Sequence, residues 1–539
     1  MSEVHLTPPG VQATAFQHRL CENPAKGWEK WWVAVGDRIN PIVIKEVRQS
    51  LKSKQFTVSF GATLIVAIGW TLLAIVMMVP QIYYVPGGSR LFIGFSCILS
   101  FPLMIVIPFS AFRSLTSETD DSTFELLSIS ALSARQIIGG KMLSAMLQML
   151  LYLSALAPCM VLTYLLRGLS LSQMFSVIGL TILYSMSLTA ASLMLAAIAR
   201  SKLLQGGASI ALLAGVLILF FSWVGNLFAV TGLSLPFTPA VGAVVVIAVL
   251  SLILTMIALV LRAASAAIDF PAENHSTAIR TRILMLATIY LFWMLYLISL
   301  AQESMVAIVV LISIFIFSLV LGALIAGERG IISPRAQRTL PSTFLSRAAL
   351  TWFYPGAGLG YIFLVCLFGA VVLTLAGLEY YYAASGNNLR GSEPISLVGY
   401  YLLCYLIIYS GIARLLMLLV PRGIAGRQVI SFMIQFIFMG LCHLIPAVIL
   451  LYLNNYREFD YDWHQAFNII WTLNILFSSV TSQTSASFYI VGLCALGVFG
   501  FNLILATRDV MLVRSQQPPR IREEEAASEV VVPVDPFAE

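Results

Sequence analysis

The sequence predicts an all-α polytopic transmembrane helix bundle of about 12 spans, with both termini cytoplasmic. Composition, the length of the apolar runs and the placement of the cations carry that expectation. Of 539 residues, 59% are hydrophobic and 10% charged, with a mean hydropathy of +0.91; soluble domains carry about 25% charged residues. A chain so apolar cannot cover itself with polar surface in water, so it needs lipid as its solvent. Its apolar runs match the roughly 20 residues with which a helix crosses a hydrocarbon core about 30 Å thick. With the N-terminus inside, all but four of the 31 Lys and Arg fall on the cytoplasmic side, where such residues accumulate. The four are Arg90, Arg167, Arg390 and Arg457. The net charge of +6 is therefore an orientation signal and requires no nucleic-acid partner.

In chain order, residues 1–55 form a cytoplasmic tail and an interfacial elbow helix. Trp28, Trp31 and Trp32 suit a membrane interface. Asn40 is placed to cap a helix that opens on Pro41. Val43, Val47 and Leu51 then share one face, and Lys45, Arg48 and Lys52 the other. That pattern predicts an amphipathic helix on the inner leaflet. Full-length apolar runs follow at 56–79, 91–112, 142–166, 173–198, 206–230 and 238–261. A cytoplasmic linker, 263–282, leads to six more at 283–301, 305–326, 356–378, 397–418, 429–453 and 486–507. The first run is expected to act as an uncleaved anchor. Segment 463–485 is open between an interfacial, a re-entrant and a spanning placement. The tail 508–539 reads as disordered. External loops are short, whereas the inner loops 113–141, 262–282 and 327–352 are longer. Function is therefore expected within the spans or on the cytoplasmic face.

Loop 113–141 is the most informative stretch. It holds two capping boxes, in which a Ser caps a helix start and a residue three positions on reaches back: Ser122 with Glu125, and Ser133 with Gln136. They predict a short cytoplasmic helix over about 123–130, a break, and a new helix running into the membrane. Glu118, Asp120 and Asp121 place carboxylates at the short helix's N-terminal approach, where the helix dipole favours them. Phe124, Leu126 and Leu127 give it an apolar surface. A stiff two-turn helix of that kind suits docking to another protein.

The loop resembles that of the membrane subunit (permease) of type-2 ABC exporters, whose first inner loop runs Glu, then Gly-Thr-x-Glu-Leu-Leu, Ser/Thr-Pro-Leu-Ser, an Ile and a closing Gly-Lys. Here Glu118, Thr123, Glu125, Leu126, Leu127, Ser130, Leu132, Ser133, Ile137, Gly140 and Lys141 stand in those places. Ser122 replaces the usual Gly and Ala131 the usual Pro. The stretch from Asn40 to Gln49 likewise resembles that family's elbow helix. The likeness is strongest over residues 38–262, making 56–262 a six-span permease-like unit and leaving 283–507 as a second bundle of about six spans. The resemblance implies that Glu118, Asp121, Ser122 and Glu125 are polar docking and capping groups of a coupling helix, with Phe124, Leu126 and Leu127 as its apolar knob. It also implies separate ATPase subunits holding ATP and magnesium, a homodimer or heterodimer of permeases, and a bacterial inner membrane. No cofactor is expected in this chain.

Several function classes lack their residues. No Gly-x4-Gly-Lys-Ser/Thr occurs, so ATP hydrolysis by this chain is not expected. No His-Glu-x-x-His, paired intramembrane aspartates or Gly-x-Ser-x-Gly is present, and the five His are scattered; catalysis is not expected. Six of seven cysteines sit in apolar runs and Cys21 in the tail, none at metal-ligand spacing. The alternative class is an ion-coupled secondary transporter or a channel without an ATPase. Carriers keep ionisable residues deep in their spans; here His443 and Arg414 are the main examples. His443 reads as a hydrogen-bonded core residue, and Arg414 as one that snorkels to the inner headgroups.

Overall fold

Hydrocarbon cannot hydrogen-bond a peptide group, so each apolar run must satisfy its own backbone, as a helix does. The computed structural model describes residues 41–78, 86–120, 133–199, 201–232, 239–269, 274–328, 351–386, 389–390, 394–421, 426–453, 463–478, 483–512, 520 and 523. Among these, 12 helices are long and apolar enough to cross a membrane. Each of the twelve runs read from the sequence overlaps one of them. The fold is an all-α polytopic bundle, and by its contacts the chain divides into two compact units, Met1–Pro236 and Phe237–Glu539.

In the first unit, α1 (Pro41–Leu51) is the elbow helix, with Val43 buried and Lys45 and Arg48 exposed; Lys52, just past its end, is exposed too. Ser53 caps the next helix, accepting from the Phe56 N–H at 3.1 Å. The spans are α2 (Lys54–Met78), α3 (Gly88–Phe101) continued by α4 (Ile107–Asp120), α5 (Ala134–Leu165), α6 (Leu171–Ile198) and α7 (Lys202–Gly232). Between α3 and α4, Pro102–Val106 form a π-helical turn. Pro102 lacks an N–H and breaks the regular ladder, and the Ser185 hydroxyl of α6 donates to the Leu103 carbonyl there. The core runs through Phe92, Phe95, Leu99, Leu103, Met149, Tyr152 and Leu156. The capping box expected at Ser133 is present: its Oγ accepts from the Gln136 N–H at 3.4 Å, and Gln136 Oε1 accepts from the Ser133 N–H at 2.9 Å. A further box, Ser170 with Gln173, opens α6.

The second unit begins with α8 (Pro239–Ile268), so the sixth span clusters with the helices that follow it. Then come α9 (Ser276–Ala301), α10 (Ser304–Ala326), α11 (Ala357–Ala384), α12 (Ile395–Leu419), α13 (Arg427–Leu453), α14 (Ile469–Ser478) and α15 (Gln483–Leu512). Its core is centred on α12, whose Tyr401, Leu402, Tyr405 and Tyr409 pack with Leu311, Phe368 and Val491. On the loop side, Arg390 N–H donates to the Gln302 carbonyl at 2.7 Å and its own carbonyl accepts from Ser304 N–H at 2.9 Å.

Among the described residues of segment 463–485, no helix is long enough to cross a membrane. A 3₁₀ turn, Trp463–Gln465, precedes α14, which has only 10 residues and rises about 15 Å, half of a hydrocarbon core. Ala466, Asn468 and Thr472 are buried within the unit.

Candidate functional site

The site residues that the sequence names divide sharply. Asp121, Ser122, Phe124, Glu125, Leu126 and Leu127 lie outside the described residues, as does the expected helix over 123–130. Glu118 is described, and it belongs to an ion cluster at the root of that loop. The cluster centres on Lys141, 3% exposed. Its Nζ lies 3.1 Å from Glu46 Oε1 on α1 and 3.0 Å from Glu118 Oε2 on α4. The same Nζ donates to Ser114 Oγ at 2.7 Å, and Ser114 donates to Glu46 Oε2 at 3.2 Å. Lys45 adds an exposed pair with Glu118 at 3.5 Å.

Helical spacing builds this arrangement. Val43 and Glu46, three apart, share the face of α1 that packs on α5. Ser114 and Glu118, four apart, share a face of α4, and Lys141 sits on the second turn of α5, past the Ser133 cap. A buried ammonium with two carboxylates is costly to desolvate and correspondingly sensitive to loss of a partner. It fastens the elbow helix to both flanks of loop 121–132. Pro41, Lys45 and Arg48 fall on the elbow helix, whereas Lys52 lies one residue past its end; Glu46, the helix's buried charge, escaped the sequence reading. Its signal was a carboxylate placed on the apolar face.

The second unit has a comparable cluster. Arg280 on α9, 2% exposed, pairs with Glu328 and donates to the carbonyls of Trp352 at 2.8 Å, Gly356 at 3.1 Å, and Tyr354. Gly360 makes room for it: a Cβ there would lie 2.1 Å from Ile325 Cγ2 and 2.8 Å from Arg280 Nη2. The guanidinium thus joins the two flanks of segment 329–350.

Deeper in that unit, Tyr401, Tyr405 and Tyr409 stand four apart on one face of α12. They stack with centroids 6.2 and 6.1 Å apart and are wholly buried. Tyr401 shares a 2.9 Å hydrogen bond with Ser487 Oγ. Tyr405 donates to the Ala466 carbonyl at 2.6 Å and lies 3.0 Å from Thr472 Oγ1, while Tyr409 donates to the Phe467 carbonyl. The ladder therefore supplies donors to the non-helical carbonyls of the turn that precedes α14. Tyr405→Phe removes one and is expected to cost about 1–3 kcal/mol, the penalty for an orphaned buried acceptor. A thermal melt of purified protein checks this, and an unchanged midpoint would detach the segment's fold from the ladder.

Arg414 does not snorkel. It is 2% exposed and donates to the Asn502 carbonyl at 2.9 Å and to Asn502 Oδ1 at 3.0 Å. A fixed side-chain and main-chain acceptor pair on α15 outweighs the reach to headgroups. His443 is hydrogen-bonded as expected, its Nδ1 lying 2.6 Å from the Met439 carbonyl one turn back, but it is half-buried and not a core residue. Among the described residues, no group of His, Cys, Asp and Glu is arranged to hold a metal.

The chain matches no protein-family model, no curated protein and no solved structure. What fold and site define is a class: an integral multi-pass α-helical membrane protein of transporter-like architecture.

Proposed function

We propose that this chain is the membrane-spanning permease subunit of an ATP-driven ABC exporter. It couples separate ATPase subunits, which hold ATP and magnesium, to outward movement of a substrate. The observation that supports this most is the buried Glu46–Lys141–Glu118 cluster. Force applied to loop 121–132 passes through it to the elbow helix, α4 and α5 together, because separating any one of them strands a buried charge. Glu118, Asp121, Ser122 and Glu125 serve as the polar and capping groups of the docking helix, and Phe124, Leu126 and Leu127 as its apolar contact. Permeases of this kind act as homodimers or heterodimers, in a bacterial inner membrane.

The test is a pull-down from detergent extract with an ATPase assay, comparing wild type with the Phe124→Asp, Glu125→Arg double variant. An ATPase that co-purifies with wild type and is lost from the variant is the expected result. If none accompanies either, the permease reading fails. The alternative, an ion-coupled carrier or channel, draws on Arg414, since an ionisable residue buried inside a span marks a transport path by default. In that case Arg414→Gln changes transport while the loop variant leaves it intact.

A further inference from the structure

A cavity of about 270 Å3 lies between α1 and the inner ends of α2, α4 and α5, directly beside the Lys141 cluster. Hydroxyl, amide and guanidinium groups border it, from Ser110, Ser117, Ser144, Gln49, Gln148 and Arg113. The facing sides are periodic, with Ser110 and Ser114 on α4 and Lys141, Ser144 and Gln148 on α5 each three or four apart. From Lys141 to Tyr152 the slot descends eleven residues of α5, about 16 Å of rise. The far end is closed by Phe56 and Tyr152, whose rings meet edge to face at 5.6 Å, with Tyr152 hydroxyl 2.6 Å from Ser59 Oγ.

We propose that this cavity binds the headgroup of an anionic phospholipid from the cytoplasmic leaflet. The site is independent of any ATPase partner. The hydroxyls and amides on its wall favour an occupant that carries polar groups, since hydrocarbon cannot hydrogen-bond to them. Its volume falls just below the range of about 300–1,000 Å3 for small-molecule sites, which suits a headgroup and not a whole lipid. Charge selects the sign. Of the described residues that line it, Arg113 and Lys141 are cationic and Glu46 is the one carboxylate. Both Glu46 oxygens are already engaged, by Lys141 and Ser114. Arg113, over the Phe109 ring at 5.0 Å, keeps its guanidinium donors for a phosphate, to which Arg binds bidentately. A lipid fits better than free phosphate because α2, which borders the slot through Gln55 and Phe56, exposes Val58, Ile65 and Val66 to the bilayer. Acyl chains continue along that surface.

The test is native mass spectrometry of the purified full chain, delipidated and then offered phosphatidylglycerol, phosphatidylcholine or inorganic phosphate. Wild type is expected to retain one phosphatidylglycerol that an excess of phosphatidylcholine does not displace. Arg113→Gln should lower retention about tenfold, the loss of one charge-assisted hydrogen bond. Ser110→Leu, which fills the slot without changing charge, should also lower it, and Arg390→Gln, in an external loop, should not. Melting midpoints equal to wild type establish that each variant is folded; if Arg113→Gln is not, Ser110→Leu decides. Equal retention of both lipids, or retention unchanged in the folded slot variants, overturns the proposal. Displacement of the lipid by millimolar inorganic phosphate overturns it too, in favour of a free-anion site.

Discussion

Lys141→Met is expected to destabilise the first unit by about 3–5 kcal/mol, the cost of breaking a buried ion pair from one side. The substitution takes the ammonium from Glu46 and Glu118, 8% and 13% exposed at their side chains, and leaves Glu118 with the exposed Lys45 as its cation. It also takes a donor from Ser114 Oγ. The measurement is a thermal melt of detergent-purified protein, alongside the yield of monodisperse material. The triple variant Glu46→Leu, Glu118→Leu, Lys141→Met should recover at least half of the loss, because removing a whole buried ion group is far cheaper than removing one member. Lys45→Ala, which breaks only the exposed 3.5 Å pair, should change stability by about 0–1 kcal/mol. A Lys141→Met protein that melts with wild type would remove the cluster from any role in holding the elbow helix. If an ATPase co-purifies, the triple variant also separates folding from coupling: folded protein with unstimulated ATPase is the expected outcome.

Arg280→Met should do comparable damage to the second unit. It leaves the Glu328 carboxylate and the carbonyls of Trp352, Tyr354 and Gly356 without their shared donor. Each orphaned acceptor costs about 1–3 kcal/mol, so a loss of about 5 kcal/mol is expected even if Glu328, 17% exposed at its side chain, regains some water. Arg280→Lys should fall between wild type and Arg280→Met, since an ammonium lacks the planar fork that reaches four acceptors. The melt and monodisperse yield again decide. A lysine variant indistinguishable from wild type would show that charge alone suffices and that the fork geometry is incidental.

The spans were legible because their cause is local. A helix crossing hydrocarbon needs about 20 apolar residues whatever its neighbours are, so runs such as 305–326 and 397–418 announce themselves as Ser304–Ala326 and Ile395–Leu419. The Ser133 capping box was legible for the same reason, since both partners lie within one turn. Glu46 was not, because its burial depends on Lys141, ninety-five residues away. Arg414 was misread because headgroups were the nearest partner that sequence can supply, and Asn502 is 88 residues distant. Tyr401, Tyr405 and Tyr409 stood four apart in plain view, yet nothing local says that their hydroxyls would meet carbonyls at 466 and 467.

The solvent of this protein, its helical class and the place of its spans were readable from residue type and order alone. These follow from transfer free energies that add residue by residue. Only the tertiary structure decided which polar side chains are buried and what each one holds: the elbow helix to the loop flanks through Lys141, segment 329–350 at its roots through Arg280, and the short helix α14 against a tyrosine ladder. A buried polar group is tolerable only with a partner in place, and the partner's identity is set by packing between segments far apart in the chain.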